Sequence, residues 1–244
     1  MARLALLVLA VLAAGCPSAG GGDDYPIGGG GGGGGTSGPR DAAGGDGGDG
    51  QTIRGRVCLL SDLRRLIDAA PGDCATTGAA GLAVSLGGAT PVSTAADGSF
   101  SIPAQAGTNL AWRVTGLDLV TSIVPLSASA LLPAIGDVRY GELQSSNSVL
   151  PVEGRGAIIA RVIRGGAPVA NATARVMLGE SLQTLYDGND ALIWARTATG
   201  PLGVAWLPDN VAGPRTLLVT QGATLAVPVS IVDRAITFVT IALP

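Results

Sequence analysis

From Thr52 onward the chain is written in a period of two. Ile53, Gly55 and Val57 alternate with Arg54, Arg56 and Cys58. Leu82, Val84 and Leu86 alternate with Ala83 and Ser85, and Phe100 and Ile102 with Ser99 and Ser101. Leu110, Trp112 and Val114 alternate with Ala111, Arg113 and Thr115. Successive side chains of a strand point to opposite faces, so this alternation marks half-buried strands. Turn signals lie between them at Gly87-Gly88, Asp97-Gly98, Gly107 and Gly116. Ala223–Val232 and Ala235–Leu243 are rich in β-branched residues and read as two closing strands.

The pattern occurs twice. Ile158, Ala160 and Val162 open a second series, followed by Ala172, Ala174, Val176 and Leu178 after Gly165-Gly166-Ala167-Pro168. Val204 and Trp206 then follow Gly203, and Leu217 and Val219 follow Gly213-Pro214. Val57 and Val162 are 105 residues apart, as are Val114 and Val219, and Phe100 pairs with Val204 at 104. Matching Val84 to Val176 places 13 extra residues early in the first copy and 12 later in the second. Many short strands with regular turns argue for β-sandwiches. The expected fold is all-β: two tandem Ig/transthyretin-like β-sandwich modules over 52–150 and 151–244, with short helical insertions. The pattern leaves open whether the halves share one core. Two segments read as helical: Ser61–Ala70, with Leu63, Leu66 and Ile67 at helical spacing, and Pro133–Ser145.

The first copy holds Gly81-Leu-Ala-Val-Ser-Leu-Gly-Gly and then Ser93-Thr-Ala-Ala-Asp-Gly-Ser-Phe-Ser-Ile102. This resembles the carboxypeptidase regulatory-like domain, a transthyretin-like sandwich with a T-x-x-DG-x-F-x-I turn. Gly165-Gly-Ala-Pro-Val-Ala-Asn-Ala-Thr-Ala-Arg-Val176 is similar to the same family's G-x-P-V-x-G-A-x-V stretch. Here Asn171 replaces its Gly, and Thr199-Gly-Pro-Leu-Gly-Val-Ala-Trp206 lacks the Asp-Gly. The resemblance implies a non-catalytic attachment, spacing or recognition unit. In the related collagen-adhesin B-type domains a Lys–Asn isopeptide forms, and a chain without Lys cannot make one.

The N-terminus carries a different signal. Arg3 precedes an apolar run from Leu4 to Ala14, too short for a bilayer span of about 20 residues but suited to a signal peptide. Ala13-Ala14-Gly15-Cys16 resembles the bacterial lipobox, with Ala13 where that motif usually has Leu. The resemblance implies cleavage over residues 1–16 and lipidation of Cys16, with thioether-linked diacylglycerol and an amide-linked chain such as palmitate. Pro17 follows the Cys, where Asp often marks inner-membrane retention, and this favours the outer membrane. Residues 17–51 read as a disordered Gly-rich linker: 17 of the 31 residues from Gly20 to Gly50 are Gly, including Gly28–Gly35. No GK[ST] is present, so that run is not a phosphate loop.

Composition narrows the chemistry. There is no His, and all 15 basic residues are Arg. The usual general base, the commonest metal ligand and Schiff-base chemistry are therefore missing. Residues 51–244 hold 13 Arg against 10 Asp and 3 Glu, so no basic field draws nucleic acid. Asp187-Gly-Asn-Asp190 lacks the ligand series of an EF-hand and reads as a polar turn. Cys58 and Cys74 in an exported domain are expected to pair. Trp112 and Trp206 read as core. Trp194, with Tyr186, is the candidate exposed ligand contact. No catalytic, cofactor or metal residues are assigned, and no enzyme is expected. The expected protein is a membrane-anchored envelope module whose partner is another envelope protein or, alternatively, a polysaccharide.

Overall fold

The computed structural model describes residues 51–65, 74, 79–107, 110–126, 130–177 and 183–244. The signal segment, Cys16 and the Gly-rich linker up to residue 50 lie outside the described residues, as does the second half of the first helix candidate, 66–70. Its described part, 61–65, is a turn. The described residues fall in one compact unit. They form fifteen strands, β1 to β15 in chain order, and one helix, α1 (Asp137–Ser146).

The first sandwich packs β4 (Ser99–Pro103), β1 (Thr52–Leu59) and β7 (Leu131–Gly136) over β3 (Val92–Ser93), β2 (Ala83–Leu86), β5 (Ala111–Thr115) and β6 (Leu119–Pro125). Between the layers lie Val57, Val84, Leu86, Phe100, Ile102, Trp112, Val114 and Leu132. Phe100 meets Trp112 edge-on at 5.4 Å, a geometry that aromatic quadrupoles favour. The second sandwich packs β11 (Leu185–Tyr186), β12 (Val204–Val211), β8 (Arg155–Arg164) and β15 (Ala235–Leu243) against β10 (Thr173–Val176), β13 (Gly213–Gln221) and β14 (Ala223–Ile231). The short β9 (Ala167–Pro168) pairs with β8.

The pairings repeat strand for strand. β1 is antiparallel to β4 and parallel to β7, as β8 is to β12 and β15. The antiparallel order β2-β5-β6 recurs as β10-β13-β14. Two threonines set the register. Thr94 Oγ1 donates to Ala79 O and accepts from Leu82 N; Thr199 Oγ1 donates to Val169 O and accepts from Ala172 N. Gly81 and Asn171 therefore correspond, and both hold a left-handed φ, +71° and +60°. Asn tolerates that region better than any residue but Gly, so the Asn171 departure is conformationally conservative.

This register revises two matches made on pattern. The counterpart of Val84 is Ala174, not Val176. Val84 faces Val114 in β5, as Ala174 faces Val219 in β13. The counterpart of Phe100 is Ala205, not Val204, because Gly55 pairs with Phe100 as Ala160 pairs with Ala205. A one-residue slip moves a side chain to the opposite face. Ala205 and Leu207 therefore point into the sandwich, while Val204 and Trp206 point out of it.

That outward face is covered. Leu60, Leu63, Ile135, Tyr140, Leu143 and Val149 from the first half bury Ala157, Ile159, Trp206, Ile236 and Phe238 of the second. β8 is buried on both faces along most of its length, as expected of a strand in a parallel pair covered on both sides. β15 also pairs in parallel with β6 through Ala235↔Thr121 and Thr237↔Ile123, so one sheet runs through both sandwiches. The second helix candidate begins later than expected, because Pro133 sits inside β7, paired with Cys58. Proline has no N–H to donate, and the ladder asks for none there, since Arg56 N and Leu60 N bond the carbonyls of Ala130 and Ala134 on either side. α1 starts only at Asp137, whose carboxylate accepts the Val138 amide at the positive helix end. It stops at Asn147, with Ser148 left-handed (φ +55°) and Val149 N donating to Gln144 O, a Schellman closure.

Candidate interaction surface

Cys58 and Cys74 form a disulfide, with Cα atoms 4.9 Å apart. It ties β1 to the segment that follows the 61–65 turn. That turn is held by a chelated pair: the Arg64 guanidinium donates to both Asp62 carboxylate oxygens, and its remaining arm donates to Gly188 O in the second half at 2.8 Å. Burial alone would raise the Asp62 carboxyl. Its hydrogen bonds with the Arg64 side chain and amide, with the charges of Arg64 and Arg65, outweigh burial and hold it below the ordinary value.

The expected contact pair of Trp194 and Tyr186 does not meet at a solvent-facing surface. Trp194 is 0% exposed and stacks edge-on against Trp206 at 5.8 Å; its indole N–H donates to Ala191 O. Tyr186 lies in the other core, its hydroxyl donating to Ala174 O and accepting from Ala174 N. An apolar strand face left open by its own sandwich takes up the nearest large ring, and Trp194 is that ring. Asn147, at the end of α1, secures it by accepting from Trp194 N and donating to Leu192 O.

Asp187, in the candidate polar turn, is fully buried. Its carboxylate accepts the amides of Gly200 (2.7 Å), Leu202 (2.8 Å) and Val204 (2.9 Å). Among the described residues no group of three His, Cys, Asp or Glu is placed to hold a metal ion.

One groove among the described residues, of about 250 Å³, opens beneath α1. Val120, Tyr140 and Ala157 line its floor, Leu150 and Val152 its wall, and the Arg155–Asp209 ion pair (3.2 Å) closes one end. Asp209 reaches that position because β12 bulges between Leu207 and Asn210, and bulges re-aim side chains in this way. Leu150 is 78% exposed. The turn carrying Leu117, 91% exposed, is pinned to the start of α1 by Asp137 N donating to Asp118 O. Val138 is exposed on the next position. Nothing in the residue pattern announces this groove, since its wall comes from the loop 150–152, which carries no periodic signal.

No family model matches the chain, and no curated protein matches it. Among solved structures it is similar to the minor pilin of Streptococcus agalactiae (12% identity over 78% of this chain and 94% of that one, TM-score 0.26). A streptococcal ancillary pilin shares 12% identity over 80% of this chain and 63% of that one, TM-score 0.22. A type II cohesin–X–dockerin complex of Acetivibrio cellulolyticus shares 22% over 34% of this chain, TM-score 0.24; the chain spans about half (52%) of that protein's length. At such TM-scores the folds do not superpose as wholes, and the functional reading rests on the chain's own residues. Among the described residues no helix is long and apolar enough to cross a membrane.

Proposed function

We propose that this is an envelope lipoprotein, held by a lipid on Cys16 and a Gly-rich tether, whose paired sandwiches serve as a non-catalytic protein-interaction module of carboxypeptidase regulatory-like type. The observation that carries the interaction reading is the groove beneath α1. Two of the large apolar side chains that line it, Leu150 and Val152, stand in water, and Val138 is exposed one residue on from the lining residue Asp137. Exposed apolar surface gathered at a concavity marks contact sites more often than scattered single residues do. Anchoring would confine the module to a surface and raise its effective concentration toward a partner.

Crosslinking and pull-down from intact envelopes tests the reading, with Cys16→Ser as the anchoring control and Leu150→Asp/Val152→Asp as the surface variant. A partner captured by the wild type and lost with the surface variant supports it. Capture by neither, or equally by both, refutes the groove as the contact. Mass spectrometry of the mature N-terminus tests the anchor, since an unmodified Cys16 or an uncleaved leader rules it out.

A further inference from the structure

The repeated register makes one edge of the molecule conspicuous. Val114 corresponds to Val219, so the β5–β6 and β13–β14 ladders align Thr121-Ser-Ile-Val-Pro125 with Thr224-Leu-Ala-Val-Pro228. Thr, Val and Pro recur in place. On β6 the outer edge of Thr121–Ile123 is filled by Ala235–Thr237 of β15 in parallel. On β14 the corresponding edge, Thr224–Ala226, ends its sheet and pairs with no further strand among the described residues.

The orientation of that edge can be worked out. Thr216 O accepts from Met177 N on the β10 side, so Thr216 and its partner Pro228 turn their backbone groups away from each other. By the period of two, Thr224 and Ala226 also present N–H and C=O outward. Pro228 has no N–H to offer, which limits the open stretch to the three residues that β6 uses in its own pairing. Leu225 and Val227, half-buried against the second core, flank it on the inner face.

We propose that the Thr224–Ala226 edge of β14 docks an extended apolar strand of a partner protein, added in parallel as β15 adds to β6. This rests on the interaction-module reading and names a second contact, separate from the groove beneath α1. The partner's central residue would lie beside Leu225 and extend the second core, as Ile236 lies beside Ser122. A second copy of this chain is poorly suited. Its own strand of that pattern, β15, is already held by β8 and β6, and a two-fold β14–β14 contact would be antiparallel, unlike the parallel addition that the equivalent edge of β6 receives.

The probe is a spin-labelled synthetic peptide copying residues 233–240, titrated into the isotope-labelled full chain carrying Cys16→Ser. The expected result is broadening of the Thr224–Ala226 amide signals, with at least tenfold weaker binding in Ala226→Pro. That substitution fixes the local φ and removes an outward N–H that bonds no other strand among the described residues, and unchanged spectra elsewhere confirm its fold. Ala226→Lys, which puts a charge at the edge, should act in the same direction. Broadening confined to 119–125, no binding, or equal binding to both variants overturns the proposal. So does a concentration-dependent dimer abolished by Ala226→Pro, which would make the occupant a second copy. Envelope crosslinks that survive Ala226→Pro but not Leu150→Asp/Val152→Asp also overturn the edge while leaving the broader reading intact.

Discussion

Asp187 does for the second sandwich what Asp97 does for the first, although the two carboxylates come from different places in the chain. Asp97 accepts the amide of Ser99 two residues on, closing its own turn. Gly98 and Gly203 correspond: each is left-handed, and each gives its carbonyl to the first strand of its sandwich, at Val57 N and Val162 N. A Cβ at either would sit 2.7 Å or 2.6 Å from that strand's Val57 or Val162 oxygen, so both must be Gly. The residue before Gly203 is Leu202, which has no carboxylate. The amide of Val204, counterpart of Ser99, is instead taken by Asp187, brought in by the insertion of the second half.

Asp187→Ala should therefore strand three amides, two of them buried, and lower stability by about 3 kcal/mol or more, since each buried unpaired donor costs on the order of 1–3 kcal/mol. Leu202→Asp restores a carboxylate where the first copy has one and should recover part of that loss in the double variant. Urea unfolding of the four proteins of this cycle checks it. Additive effects of the two substitutions would show that Leu202 and Asp97 are not equivalent.

The paired threonines make a parallel prediction. Thr94→Val and Thr199→Val keep the shape but leave the Leu82 or Ala172 amide without its acceptor. Each is expected to cost about 2 kcal/mol, and the two should add, because they lie in separate cores. Thr→Ser at either site should be much milder in the same unfolding assay, since the hydroxyl remains.

Much of this was visible in the residues. β15 spans the stretch expected for the last strand, and the Gly98 turn and the all-β body follow from alternation and turn chemistry. Two of the misreadings, at Val204 and Trp194, share one cause. Val204-Ala-Trp-Leu-Pro is apolar on both faces, so a period of two cannot say which face meets the sandwich. The strand carries no polar residue to break the tie until Asp209. Trp194 was misplaced for the same reason. A lone ring in an insertion looks exposed unless one knows that the far side of β12 also needs covering. The Thr-x-x-Val-Pro repeat was readable, but a five-residue echo between closing strands has little weight until a register aligns it.

Acid should weaken the fold through two depressed carboxyls. Asp97 is lowered to about 2, first by the Ser99 side-chain and backbone hydrogen bonds and then by Arg56. Asp62 is also lowered, as described above. A carboxyl whose folded value lies below its unfolded one stabilises above the unfolded value, near 4, and loses that contribution as pH falls through the folded one. Stability should thus decline from about pH 4 toward pH 2. Asp62→Asn with Asp97→Asn should be less stable at pH 6 and show a flatter acid limb. A limb of unchanged slope in urea titrations at each pH would remove these two groups as its cause.

The shared third core predicts that neither half stands alone. Fragment 151–244 would expose Val204, Trp206, Ile236 and Phe238 to water without Tyr140 and Leu143 over them, and fragment 51–150 would lose the strand that fills the edge of β6. Truncating a buried aromatic such as Trp194 to Ala costs about 3–5 kcal/mol, and losing the whole cover removes several such contacts together. The intact body should unfold in urea as one transition followed alike by tryptophan fluorescence and far-ultraviolet circular dichroism. The separate fragments should bind a hydrophobic dye and lack a sharp transition. Mixing them should restore both the fluorescence and the cooperativity, since the β6–β15 pairing and the aromatic stack are made between them. Two fragments that each unfold sharply, at midpoints matching two steps in the intact chain, would show that the sandwiches are independent and that the continuous sheet contributes little.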